Sequence, residues 1–167
     1  YLRRNNKTVA TLIAKQQDYT QNDKKALLEI LGMFVATVPK LYKMLNGNGT
    51  VALSTTPFYH PILPLLLDMQ NAKKANSTTE IPANSIALKE DAVLQIGKAK
   101  TLFRETFGKV PTGFWPAEGA VDEKSVALLE SLGVQWIATD ESILYRSLEY
   151  TDKAQIYKPY RYNNMLI

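Results

Sequence analysis

Between residues 50 and 138 the chain reads strand, helix, strand, helix, strand, and this alternation restricts its fold more than any other feature. Thr50-Val51-Ala52-Leu53-Ser54-Thr55 reads as a short buried strand, followed by strands at Thr112 to Trp115 and Val134 to Ala138. From about Leu88 to Phe107, Ala92, Ile96, Ala99, Phe103 and Phe107 keep helical spacing until Gly108 stops the run. A further helix opens at Asp122, carries Glu123 where a negative charge meets the positive end of the helix dipole, and ends at Gly133. Each crossover helix returns the chain to the same sheet edge by a right-handed turn, so the strands are expected to be parallel. In parallel α/β sheets and barrels the strand C-termini share one face, where reactive groups gather. The polar residues that follow the three strands, Tyr59 and His60, then Glu118, then Asp140 and Glu141, are therefore expected to converge.

Residues 5–20 and 23–45 carry helical spacing, seen in Leu27, Ile30, Leu31, Phe34 and Val38, with Asn22 or Asp23 placed to cap the second helix. Asn46-Gly47-Asn48-Gly49 ends it, and residues 1–49 read as a helical insertion or lid. Pro57, Pro61 and Pro64 make the segment after the first strand a stiff loop that leads into a short helix near Leu65 to Met69. Residues 70–85 are polar and read as a surface loop, and Tyr157, Tyr160 and Tyr162 as part of a strand's face. The final Met165-Leu166-Ile167 follows two turn-forming asparagines and reads as a cut strand. Barrel folds commonly need roughly 200 to 250 residues. Residues 50–167 are thus expected to be a partial α/β barrel with both flanks absent.

Composition excludes several classes of function. Among 167 residues, 46% hydrophobic and 22% charged is the balance of a folded chain rather than a disordered one. Twenty Lys and Arg against sixteen Asp and Glu give a formal charge of +4, but the densest basic groups, Lys24-Lys25, Lys73-Lys74 and Lys98 with Lys100, read as solvated helix faces. No basic stripe forms, so no nucleic-acid partner is expected. Zero cysteines remove thiolate ligands and Cys nucleophiles, and a single histidine removes every multi-His metal motif. With no GxGxxG, no GxxxxGK[ST] and no GxSxG, neither a cofactor nor a hydrolase elbow is expected. Nothing approaches the ~18 apolar residues of a membrane span, so no membrane partner is expected, and the location is expected to be cytoplasmic. The three N-x-[ST] sequons, at Asn6, Asn48 and Asn76, read as chance in an Asn-rich chain.

Glu118 lies in Gly113-Phe114-Trp115-Pro116-Ala117-Glu118-Gly119, a carboxylate shortly after an indole and a proline. An aromatic ring that stacks on a pyranose beside a carboxylate fixed by a stiff turn suits a sugar site, and a helix-entry residue that only assists capping suits the same position equally. Asp140 and Glu141 have two roles open to them. They can bond substrate hydroxyls or tune Glu118 by like-charge coupling, or Asp140 can cap a turn while Glu141 faces water. His60, between Tyr59 and Pro61, is either a hydrogen-bonded structural residue or a substrate contact.

The ordered segments Leu53-Ser54-Thr55-Thr56-Pro57-Phe58-Tyr59-His60-Pro61-Ile62-Leu63-Pro64-Leu65-Leu66, Gly113 to Gly119 and Trp136-Ile137-Ala138-Thr139-Asp140-Glu141 resemble glycoside hydrolase family 57. The resemblance covers roughly residues 50 to 145. It implies an incomplete seven-stranded (β/α) barrel acting on α-glucans, with Glu118 as the nucleophile of a retaining mechanism and His60 in a substrate loop. Trp115, Tyr59, Asp140 and Glu141 are then candidate substrate-binding residues. The family's N-terminal His-x-Pro-type motif is missing here, and its acid/base aspartate belongs to a later strand, beyond residue 167. The 167 residues alone are therefore expected to be inactive or nearly so.

Three other classes compete. A non-catalytic carbohydrate-binding or degenerate glycosidase module would keep the Trp115 platform without the acid/base residue. A metal-dependent polysaccharide deacetylase shares the barrel plan but needs a His-rich triad that one histidine cannot supply. A helical adaptor would be built from residues 5–45.

Overall fold

Polar caps decide where the first helices begin. In the computed structural model, which describes residues 1–84, 86–148 and 152–167, the unit Tyr1–Thr50 contains α1 (Leu2–Asn5), α2 (Lys7–Lys15) and α3 (Gln21–Gly47). Asn6 Oδ1 accepts from the Val9 N–H at 3.1 Å to start α2. The single helix expected over 5–20 ends instead at Lys15, where Gln16 and Asp18 take left-handed φ values of 61° and 56°. The cap of α3 is Thr20 rather than Asn22 or Asp23. Thr20 Oγ1 accepts the Asp23 N–H at 3.2 Å while Asp23 Oδ2 accepts the Thr20 N–H at 2.8 Å, a reciprocal capping box that satisfies two orphan donors at once. Lys15 also donates to Asp23, and these bonds, with Lys15 first, lower its carboxyl from 3.8 to about 2.

The second unit, Val51–Ile167, contains β1 (Ser54–Thr55), α4 (Leu63–Leu67), α5 (Ala72–Ala75), α6 (Lys89–Phe107), β2 (Gly113–Phe114), α7 (Glu123–Ser131), β3 (Trp136–Ile137), α8 (Glu141–Leu148), β4 (Arg161–Tyr162) and β5 (Met165–Leu166). Among the described residues the sheet order is β1-β2-β3-β5-β4. The pairings of β1 with β2, β2 with β3 and β3 with β5 are parallel, as the alternation requires. One pairing departs from the expectation of parallel strands throughout. β4 and β5 form an antiparallel hairpin, because Asn163 (φ 53°) turns the chain back on itself.

Each strand is only two residues long, and Ser54 in the first, expected to be buried, is exposed. So few ladder bonds, each worth about 0.5–1.5 kcal/mol net, cannot be the main support of the sheet. The apolar layer is larger. Phe114 and Ile137 share a buried cluster with Ile96 of α6, Leu129 of α7, Leu63 of α4 and Met165, and each such side chain contributes roughly 1.5–3 kcal/mol.

This cluster fixes the architecture. Phe114 and Ile137 are in register and face the helices, whereas the in-register row Ser54, Gly113, Trp136 and Leu166 occupies the other face. A Cβ on Gly113 would overlap the Trp136 indole, so glycine is what lets that ring lie on the strand. Consecutive parallel strands with their crossover helices on one face are consistent with a barrel wall rather than with a doubly wound sheet.

Gly108 (φ 81°) ends α6 and an Asp122–Ser125 capping box starts α7. Lys100 is only partly solvated: its Nζ donates to the Leu132 carbonyl at 2.5 Å and ties α6 to the end of α7. The short helix expected near Leu65 to Met69 begins earlier, at Leu63, because Pro64 fits its first turn. The polar stretch 70–85 contains α5 and the end of a 3-10 turn, Met69–Asn71, and residue 85 lies outside the described residues. Tyr162 is in β4, whereas Tyr157 ends a 3-10 segment, Lys153–Tyr157. Among the described residues no helix is long and apolar enough to cross a membrane.

Candidate active site

The segment after β1 is shaped by its prolines. Pro57 is buried, its carbonyl accepts the His60 N–H at 2.9 Å, and Pro61 follows immediately. The tight turn leaves His60 in the left-handed region at φ 56°. After β2, Pro116 leads into a 3-10 turn, Ala117–Gly119, in which Glu118 has φ 56° and ψ 21°. Left-handed backbone costs a non-glycine residue on the order of 1–3 kcal/mol and persists only where its surroundings impose it. These two strained residues meet. His60 Nε2 and Glu118 Oε1 are 2.9 Å apart, and Thr56 Oγ1 lies 3.3 Å from His60 Nδ1. An ionised carboxylate only accepts, so the hydrogen between them belongs to His60. Both side chains stay open to solvent, His60 at 49% and Glu118 at 72% exposure, which leaves room for a ligand.

The end of β3 is joined to the same place through backbone. Thr139 Oγ1 donates to the Gly119 carbonyl at 2.5 Å, and a Cβ on Gly119 would stand 3.0 Å from Asp140 N and 3.3 Å from Asp140 Cβ. Gly119 (φ 66°) is thus required both by its torsion and by the close approach of the next loop. The C-terminal ends of three parallel strands are linked, β1 to β2 through His60 and Glu118 and β2 to β3 through Gly119 and Thr139.

The other expected residues behave differently. Asp140 Oδ1 accepts the Ser142 N–H at 2.8 Å at the start of α8, and hydrogen bonding from Ser142, its side chain first and its backbone second, holds the Asp140 carboxyl below the usual range. Glu141 opens α8 and is exposed. Tyr59, 73% exposed, meets Phe58 edge-on at 4.6 Å, and Lys98 Nζ stands 5.3 Å from its ring centre. Lys98 is therefore an aromatic partner as well as a surface charge. Trp115, 40% exposed, takes its backbone position from its N–H to Thr55 O bond of 2.7 Å. Beside His60 a cleft of about 440 Å³ is bordered by Thr56, Phe58, Tyr59, Leu102 and Phe103.

Sequence reasoning missed Thr56, Thr139 and Lys98. The first two are hydroxyl residues at strand ends, a position that could have drawn attention to them. Nothing in the sequence places Lys98 over two rings 39 and 40 residues away. Among the described residues, no group of three or more His, Asp or Glu is placed to hold a metal ion.

No curated protein and no solved structure matches the chain. The mostly parallel sheet with helices on one face is consistent with part of a (β/α)7 barrel, and the segments that build its strand ends carry the motifs noted above. The family model described as Glycosyl hydrolase family 57 matches residues 3–167, so the match extends through the N-terminal helices, and the chain belongs to this family of glycoside hydrolases and transglycosylases.

Proposed function

We propose that the chain is the nucleophile-bearing part of an α-glucan-active retaining glycosidase or transglycosylase, with Glu118 as the nucleophile. The observation that carries this is the 2.9 Å bond from His60 to Glu118 between two left-handed residues at neighbouring strand ends. An attacking carboxylate must be ionised, held in one orientation and open to the sugar. A donor on one oxygen, a clamped loop and a side chain 72% exposed meet all three needs.

In the first step a Glu118 oxygen bonds to the anomeric carbon as the glycosidic C–O bond breaks, and the departing oxygen takes a proton from a second carboxyl group about 5 to 5.5 Å away. In the second step that carboxylate removes a proton from water or an acceptor sugar hydroxyl. The oxygen so activated displaces Glu118 from the anomeric carbon, and both carboxyl groups return to their starting states. Asp140 is a poor candidate for the acid because Ser142 already engages its carboxylate and favours the ionised form. The acid/base group comes in this reading from a further strand end of the barrel, so the 167 residues alone turn over little or no glucan. Trp115 and Tyr59 supply stacking faces, His60 lines the substrate loop, and Asp140 and Glu141 lie at the rim toward substrate hydroxyls. The unit Tyr1–Thr50 is a helical insertion or lid.

The test is turnover of a soluble α-glucan by the chain joined to its flanking barrel strands. Glu118→Gln should lower it roughly 10⁴-fold, the scale of losing a covalent nucleophile. Normal turnover by that variant would remove the assignment.

A further inference from the structure

His60 has a partner on each ring nitrogen, and the two partners differ in kind. On one side is a carboxylate that can only accept, and on the other a hydroxyl that can donate. With Glu118 ionised, the imidazole hydrogen on that line sits on Nε2. In the neutral ring Nδ1 is then an acceptor, and the Thr56 hydroxyl is the donor that reaches it. The hydrogen bonds run one way, from Thr56 to His60 to Glu118, and end on a single carboxylate oxygen, Oε1.

The surroundings hold this line in place. Thr56 immediately precedes Pro57 and His60 immediately precedes Pro61, so neighbouring ring constraints limit the backbone at both donors. The His60 N–H closes on the Pro57 carbonyl, a turn that brings the backbones of Thr56 and His60 close enough for the 3.3 Å side-chain contact. Glu118 has no comparable enclosure. Its side chain is 72% exposed, so rotamer freedom rather than burial is what must be restrained before one oxygen can face a reacting centre.

We propose that Thr56 is a positioning residue that acts through His60: the hydroxyl orients the imidazole, the imidazole holds Oε1 of Glu118, and Oε2 is left as the attacking oxygen. His60 thereby serves the nucleophile directly, beyond any contact it makes with sugar. The proposal rests on Glu118 being the nucleophile, but its geometry can be tested without turnover.

His60 is the single histidine of the chain, so ¹⁵N-histidine labelling of the 167-residue protein reports this residue alone. At pH about 8, where an ordinary imidazole is neutral, Thr56→Val should move the Nδ1 resonance, Thr56→Ser should leave it near its wild-type position, and Glu118→Gln should move the Nε2 resonance. In the chain joined to its flanking strands, Thr56→Val should lower kcat roughly 5- to 10-fold with KM within about twofold, the scale of one net hydrogen bond, and Thr56→Ser should recover most of the loss. An Nδ1 resonance indifferent to Thr56→Val overturns the proposal, as does a KM effect with kcat unchanged. If instead the resonances respond as expected while Glu118→Gln keeps full turnover, the hydrogen-bonded line is real and it is the nucleophile assignment that fails.

Discussion

Gly119→Ala should destabilise the barrel unit more than a left-handed glycine alone explains. At φ 66° an alanine costs roughly 1–2 kcal/mol for its torsion. Its Cβ would also stand 3.0 Å from the backbone nitrogen of Asp140, and neither loop has a flexible side chain to give way at that point. Overpacking of this kind typically adds about 1–3 kcal/mol, so the total is about 2–5 kcal/mol. Gly133 supplies the control. It has φ 79°, but its added Cβ would meet nothing nearer than Lys100 Nζ at 3.9 Å, so Gly133→Ala should cost only the torsional ~1–2 kcal/mol. With a urea m-value near 2 kcal/mol/M, the midpoint should fall by about 1–2.5 M for Gly119→Ala and by at most about 1 M for Gly133→Ala. Tryptophan fluorescence is the assay, because both tryptophans, Trp115 and Trp136, lie in this unit. Equal midpoints for the two variants would refute the close approach of the loops after β2 and β3.

Gly113→Ala should expel the Trp136 indole from the sheet face, seen as a shift in tryptophan emission together with lower stability, and Trp136→Ala in the same chain should relieve most of that loss; an unchanged emission spectrum would mean that the ring does not lie on Gly113. The Asp23 carboxyl is lowered to about 2 in the folded chain, so its stabilising contribution is present above the ordinary carboxyl value and is lost as pH falls from about 4 toward 2. Far-UV circular dichroism of wild type and Asp23→Asn should therefore differ in helix content at neutral pH and converge by pH 2, and a constant difference across that range would contradict the capping box.

The parallel order of β1, β2 and β3 was legible because crossover chirality and helix spacing are carried by the sequence itself, in Ala92 to Phe103 and in the Asp122 cap. The hairpin of β4 and β5 was not, because it depends on one asparagine adopting a positive φ, a choice many asparagines do not make. At N-terminal caps, several polar residues stand within three positions of each other, and only the reciprocal Thr20 and Asp23 bonds select among them. That His60, Glu118 and Asp140 follow β1, β2 and β3 was legible, since the strand order sets position there. Their partners were hidden for a different reason. The His60–Glu118 bond joins residues 58 apart, and Thr139 reaches Gly119 across 20. Such contacts follow from loop torsions that no local pattern encodes. Asp140 illustrates the ambiguity, since a carboxylate at a strand end is also a carboxylate at the next helix start, and Ser142 engages it in that second capacity.

Covalent trapping tests Glu118 most directly. The chain joined to its flanking barrel strands is incubated with a 5-fluoro-α-glucosyl fluoride, whose fluoride leaves without help from an acid, and is then digested with trypsin. Cleavage after Lys109 and Lys124 isolates residues 110–124 with Glu118, whereas Asp140 and Glu141 fall within 125–146. A single fluoroglucosyl group located by fragmentation on Glu118, and absent from Glu118→Gln, is the result predicted. A label on Asp122, Glu123, Asp140 or Glu141, or no label while glucan still turns over, would contradict it.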